Sequence, residues 1–231
     1  MAIRRPLDTN VVDITGADLA SDIAISTTGN IATTGSGTLT VAGASNFGSV
    51  ASGTLGSSVV FPAGHVLQVV SAQKNDNQNS TDSFASGNWT DATGLSVSLT
   101  PSSATNYLYI QSNCHGSNET ASFAIAFRLY ISGGGTDGAI LIGNQTGSRS
   151  RVSAGGPSSS ANYFLIPHSF GGRIRCNDST PNWSSGALTI KVQFATNSTS
   201  DTARFNRAGN QGNSTDYTTP SSSLTVMEIK G

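Results

Sequence analysis

The sequence predicts an all-β protein, an extended intertwined trimeric β stalk followed by a jelly-roll-like antiparallel β-sandwich knob, and three features of its 231 residues lead there. No Lys, Arg, Asp or Glu lies between Asp22 and Lys74, a run made mostly of Ser, Thr, Gly and Ala. From His65 onward, short apolar runs follow one another with Gly, Pro and Asn between them, many alternating with a period of two. No stretch carries helical periodicity.

Residues 1–22 form an ionic head. Arg4-Arg5-Pro6 is basic, and Asp8, Asp13, Asp18 and Asp22 follow at near-regular intervals. Such a segment suits docking to another protein better than building a core.

Residues 23–62 are read as the stalk. A membrane span needs roughly 20 consecutive apolar residues, and Thr27-Thr28-Gly29-Asn30 and Thr33–Gly37 interrupt every apolar run here. A flexible linker has no use for Ile23, Ile25, Ile31, Leu39, Val41, Phe47, Val50 and Leu55, which recur along it. Short β-branched segments such as Thr38–Val41 and Ser58–Phe61, separated by glycine turns, bury too little surface in one copy. Three chains wound together close their edges and give each apolar side chain a partner. Phe61-Pro62-Ala63-Gly64 is a turn signal that ends the stalk.

Residues 63–231 are the knob. Runs at His65–Val70, Leu95–Leu99, Tyr107–Gln111, Phe123–Ile131, Ala139–Ile142, Tyr163–Ile166, Gly172–Cys176, Leu188–Phe194 and Leu224–Ile229 read as strands, with Lys74–Thr81 a polar loop. Clean alternation at 95–99, 188–194 and 224–229 is that of half-buried strands in an antiparallel sandwich.

Charge and cysteine content narrow the function. A net charge of −1 with 11% charged residues excludes strong attraction to nucleic acid or an anionic membrane, and nothing marks a membrane insertion. Ser and Thr supply 62 residues and Asn 18, so hydroxyls and amides provide solubility. Cys114 and Cys176 are expected as free thiols, in a chain made in a cytoplasm without a signal peptide and released by lysis.

The blocks Val66–Val70, Thr93–Ser103 and Ser223–Ile229 resemble the C-terminal domains of bacteriophage tail fibre and related receptor-recognising proteins, those of marine phages in particular. Gly29–Ser45 is similar to phage fibre shaft sequence. The resemblance implies a virion protein and a homotrimer. Its N-terminus attaches to other tail or capsid proteins, with Arg4, Arg5, Asp8 and Asp13 as candidate contacts, and its knob touches a host-surface glycan or protein. A capsid head fibre, decoration or tail connector protein of purely structural role is the alternative.

Catalysis is not expected. Glycoside hydrolysis needs paired carboxylates, yet Glu119 and Glu228 are the sole glutamates, Glu228 reads as a solvent-facing strand residue, and the aspartates fall in the head or in Asx-turn contexts. His65, His115 and His168 lie in separate segments, Cys114 and His115 point to opposite faces of a strand, and no Cys/His spacing suits zinc. No cofactor or metal is therefore anticipated. Binding candidates are Trp89 and Trp183 in polar loops, Arg149 and Arg151, and Arg204, Arg207 and Tyr217 in an amide-rich loop. An aromatic beside amides and Arg stacks on a sugar and hydrogen-bonds its hydroxyls; a tryptophan capping the sandwich core is the competing reading.

Overall fold

Apolar alternation places the strands of the knob. A computed structural model describes residues 61–121, 123–157, 164–178, 182–209 and 218–231. The expectations for the head and nearly all of the stalk fall on residues 1–60, outside the described residues. The strands in chain order are β1 (Val66–Lys74), β2 (Gln78–Ser80), β3 (Thr90–Leu99), β4 (Tyr107–Asn118), β5 (Ala124–Gly133), β6 (Thr136–Ile140), β7 (Ala154–Pro157), β8 (Ile166–Arg175), β9 (Leu188–Thr196), β10 (Ala203–Phe205) and β11 (Ser222–Ile229). Helix among the described residues amounts to one short 3-10 turn, Phe84–Ser86.

Two antiparallel sheets form a β-sandwich. One runs β1-β11-β4-β8, with β10 continuing the track of β11 along the far end of β4 and carrying β2 at its edge. The other runs β3-β9-β5, and β6 and β7 lie end to end along the remaining edge of β5. Apart from the β5-β6-β7 excursion, successive main strands cross from one sheet to the other.

The inward faces explain why the layers close. Leu108 and Ile110 of β4 and Leu224 and Val226 of β11 meet Leu95, Val97, Ile125, Phe127, Leu129, Ile190, Val192 and Phe194 of the second sheet, all buried in one cluster. Phe205 of β10 packs edge-on against Phe194 at 5.2 Å and Phe127 at 5.7 Å between ring centroids, tying the sheets together. Each such side chain contributes about 1.5–3 kcal/mol on burial.

Glu228, Lys74 and Asn206 inside this shell are satisfied by specific partners. Glu228 is fully buried, so its expected solvent-facing position is corrected: it shares the inward face of β11 with Leu224 and Val226. Its carboxylate accepts hydrogen bonds from Gln68 Nε2 (2.6 Å), Ser102 N (2.7 Å), Ser102 Oγ (2.8 Å) and Asn106 Nδ2 (2.6 Å). Burial raises the carboxyl pKa, but these donors outweigh it and hold Glu228 below the ordinary glutamate value. Lys74 is also buried, donating to Asp76 and to the Thr93 carbonyl oxygen at 3.0 Å each. Asn206, at φ 55°, donates to the Lys74 and Asp76 carbonyl oxygens and fastens β10 to the end of β1.

Several other expectations change. Lys74–Thr81 contains β2, whose three residues pair with β10, and neither strand has an apolar signal long enough to see. The glycine-rich segment 154–157 is a strand because β5 pairs with it; a Cβ on Gly155 would press on the Ile125 carbonyl oxygen and Ala126 Cα at 3.0 and 3.1 Å. β8 begins at Ile166, where the expected run 163–166 ends. The turn expected near Pro62 is present, closed by the His65 N–H on the Pro62 carbonyl oxygen at 3.3 Å. Both cysteines are buried and unpaired, with Cys114 turned into the core and its neighbour His115 on the other face of β4.

Candidate functional site

The outer face of the β3-β9-β5 sheet gathers the chemistry. Lys191 and Gln193 alternate with Ile190, Val192 and Phe194 along β9, and Arg128 and Tyr130 alternate with Phe127, Leu129 and Ile131 along β5, so the polar members point away from the core. Register then assembles rows across strands. Asp91, Gln193 and Arg128 form one row; Ser96, Lys191 and Tyr130 form the next; Ser98, Thr189, Ser132 and Asp137 form a third.

Within this face the side chains hold each other. Arg128 Nε donates to Gln193 Oε1 at 2.7 Å, Gln193 Nε2 to Asp91 Oδ1 at 2.6 Å, and Lys191 Nζ to Asp91 Oδ2 at 2.7 Å. The two cations at the ends of this chain both lie against Tyr130, Arg128 Cζ at 5.2 Å and Lys191 Nζ at 5.3 Å from the ring centroid. Arg128 Cζ also sits 4.4 Å from the centroid of Trp89, which projects from just before β3. The result is a mutually held plate of two aromatic rings, two cations, one carboxylate and one amide.

The titrating groups respond to this arrangement. Partial burial raises the Asp91 carboxyl pKa, yet hydrogen bonds from Lys191 and Gln193 and the charges of Lys191 and Arg128 leave it below the ordinary range. Burial lowers the Arg128 pKa, opposed by Tyr130 and Asp91. A hydrogen bond with Asp137 raises the Tyr130 phenol. At neutral pH Asp91 is a carboxylate, Arg128 is a cation and Tyr130 keeps its proton.

Two loops rim one end of the plate. The turn at 83–89 carries Phe84, whose ring lies 6.1 Å from that of Trp89, and Ser150 Oγ from the loop after β6 donates to the Phe84 carbonyl oxygen at 3.3 Å. That second loop contains Arg149 and Arg151, both exposed, with Arg151 Nε on the Gly143 carbonyl oxygen at 2.7 Å. Among the candidates, Trp89, Arg149 and Arg151 are thus brought to one end of the sandwich.

The remaining candidates lie elsewhere. Trp183 packs on the core at the opposite end of β5, beside Gly134, and donates from Nε1 to the Gly186 carbonyl oxygen at 2.9 Å. That is the core-capping position. Arg204 sits in β10 of the other sheet, 8% exposed, with Nη2 on Glu119 Oε1 at 2.7 Å; Arg207 follows it, half-buried. Tyr217, Arg4, Arg5, Asp8 and Asp13 are outside the described residues. Asp91, Arg128, Tyr130, Lys191 and Gln193 escaped the loop-centred reading of the sequence. Their signal was present as polar residues at the outward positions of otherwise apolar strands.

No group of three or more His, Cys, Asp or Glu that could hold a metal occurs among the described residues. No described helix is long and apolar enough to cross a membrane.

No family model and no curated protein matches the chain. Among solved structures it is similar to the VP2 protein of infectious bursal disease virus in T=1 particles, at 13% identity and a TM-score of 0.37, over 70% of this chain and 36% of that one. The VP2 subviral particle gives 11% identity and a TM-score of 0.32, over 71% and 37%. This chain therefore spans little more than a third of the VP2 chains it matches, and a likeness this loose carries no argument about what it does.

Proposed function

We propose that the chain is a structural virion protein, a homotrimeric phage tail fibre or short fibre tip, which docks on the particle through residues 1–22 and holds a host-surface glycan against the outer face of β3-β9-β5. The plate of Trp89, Asp91, Arg128, Tyr130, Lys191 and Gln193 carries this reading. Sugars are bound by aromatic rings beside fixed donors and acceptors, and here these groups are ordered before any ligand arrives, so little side-chain entropy remains to be lost on binding. The uncharged run 23–62 supports the trimeric stalk. The strand order, two four-strand tracks with crossings at nearly every connection, supports reading the knob as a jelly roll, an architecture shared by many capsid and lectin domains.

The test compares cell adsorption and glycan-array binding of the full chain with those of Trp89→Ala and Arg128→Ala. Each substitution removes one group proposed to touch the sugar, a stacking ring or a charged donor, and loss of about 1–2 kcal/mol of such contact predicts roughly a tenfold weaker interaction. Trp183→Phe, at the far end of the sheet, is expected to bind like the wild type. Undiminished adsorption by both folded plate variants would overturn the glycan assignment.

A further inference from the structure

We infer that the glycan held by the β3-β9-β5 face is anionic, with its acidic group received by Arg149 and Arg151 while a ring of the same saccharide stacks at Trp89; this rests on the glycan reading above and adds the charge of the ligand to it. The loop between β6 and β7 is rooted beside Arg128. The Ser153 N–H donates to the Phe127 carbonyl oxygen at 2.9 Å, and Ser153 Oγ accepts from the Leu129 N–H at 3.0 Å, so this serine brackets Arg128 on both sides. Arg151 lies two residues before it, a span of at most about 7 Å. Farther out, Arg149 and Arg151 flank Ser150, whose hydroxyl reaches the Phe84 carbonyl oxygen on the turn that carries Trp89. Three arginines from two separate elements therefore gather at the Trp89 end of the plate.

Their charge is not cancelled there. The ion pairs among the described residues are Lys74–Asp76, Lys191–Asp91 and Arg204–Glu119, and neither Arg149 nor Arg151 takes part in one. Asp91, the carboxylate of the plate, is already engaged by Lys191 and Gln193. Asp82, at the foot of the Trp89 turn, accepts from Thr90 Oγ1. A guanidinium keeps its charge in proteins, and the whole chain has a net charge of −1, so this end of the sandwich departs from the composition around it.

The loop is held in shape by bonds that leave its donors free. Arg151 Nε is spent on the Gly143 carbonyl oxygen, Gln145 Nε2 donates to the carbonyl oxygens of Gly147 at 2.6 Å and Arg149 at 3.0 Å, and the Gly143 N–H closes on the Val152 carbonyl oxygen at 3.2 Å. The Nη groups of Arg151 and the whole guanidinium of Arg149 make no hydrogen bond among the described residues, and both side chains are exposed. A planar fork of N–H donors matches a carboxylate or a sulfate ester with two parallel charge-assisted bonds. A sugar hydroxyl cannot offer that pair of oxygens. An acidic saccharide therefore uses both the ring at Trp89 and the donors beside it, whereas a neutral one leaves the arginines without their best acceptor.

An array of neutral, carboxylated and sulfated oligosaccharides built on the same backbones, probed with the full chain, tests the inference. The expected result is retention of acidic members over their neutral counterparts, weakening as salt is raised, with a loss of about tenfold or more in the Arg149→Gln, Arg151→Gln double variant. The carboxylated and sulfated arms identify the acid. Arg149→Glu, which breaks no hydrogen bond within the loop, keeps the test decisive should Arg151→Gln loosen it. Equal retention of neutral and acidic members, or a folded Arg149→Glu that binds acidic members like the wild type, overturns the anionic assignment; if Trp89→Ala still weakens binding, the glycan reading stands. Retention of no member, neutral or acidic, overturns both.

Discussion

Replacing Glu228 by alanine removes the acceptor on which four donors converge. Gln68 Nε2 keeps the Thr100 carbonyl oxygen at 2.9 Å and Asn106 Nδ2 keeps Ser102 Oγ at 3.0 Å, while the Ser102 N–H and Oγ–H lose the carboxylate they donate to. Hydrogen bonds to a charged group are worth about 1.5–3 kcal/mol each, and because Ser102 is exposed, water takes up part of what its N–H and hydroxyl lose. Relief from burying the carboxylate charge offsets part of this, so Glu228→Ala should destabilise the knob by about 2–4 kcal/mol. For a domain of this size that corresponds to a fall in Tm of about 5–15 °C. Acid titration supplies an independent signature. The folded carboxyl titrates below its ordinary value of 4.5, so its stabilisation is fully present above that pH and is lost as pH falls through the folded value. Urea unfolding at pH 7 and pH 3.5 should therefore show wild type and Glu228→Ala far apart at the first pH and closer at the second. A difference under about 1 kcal/mol at pH 7, or one that does not shrink in acid, would refute the buried-hub account.

Other variants probe other links. Gly171→Ala, at φ 153°, drives a Cβ into the Ile110 carbonyl oxygen across the β4–β8 pair and should cost more than about 3 kcal/mol or abolish soluble expression, read by urea unfolding. Phe205→Ala removes the ring between Phe127 and Phe194 and is expected to cost about 3–5 kcal/mol by the same measure. Burial pushes the Cys114 thiol up to about 12 and the Cys176 thiol up to about 11, so neither should react with a thiol reagent at pH 8 until the protein unfolds, when both react. Lys191→Ala should change stability by under about 1 kcal/mol, because its partner Asp91 is half exposed, while weakening glycan binding measured on the same protein.

Strands with an unbroken apolar rhythm were legible without coordinates. Leu188–Phe194, Leu95–Leu99 and Leu224–Ile229 alternate because one face is wet and the other dry, and the pattern survives any arrangement of neighbours. Glu228 was misread through that same rhythm: it sits two residues past Val226, on the dry face, and its charge argued louder than its position. What admits a carboxylate there is the convergence of Gln68, Ser102 and Asn106, from strands and loops far away in sequence. β2, β7 and β10 were invisible for a related reason, being too short or too rich in glycine to carry a pattern and existing because a longer strand lies alongside to pair with them.

The candidate site divides in the same way. Trp89, Arg149 and Arg151 stood out in the sequence as aromatic or basic residues in polar surroundings, and the structure sets them at one end of the sandwich. Arg128, Tyr130, Lys191, Gln193 and Asp91 were each legible as an outward residue on a strand. Chain order says nothing about which strand lies beside which, so their union into one plate was decided by the β3-β9-β5 pairing and its register. The sequence by itself determined an all-β knob with apolar inward faces, because period-two burial is a local property of the chain. The tertiary structure alone decided that Trp183 packs on the core and Arg204 pairs with Glu119 while Arg128 and Tyr130 share one outer face, because side-chain neighbourhoods across a sheet are set by pairings between residues tens of positions apart.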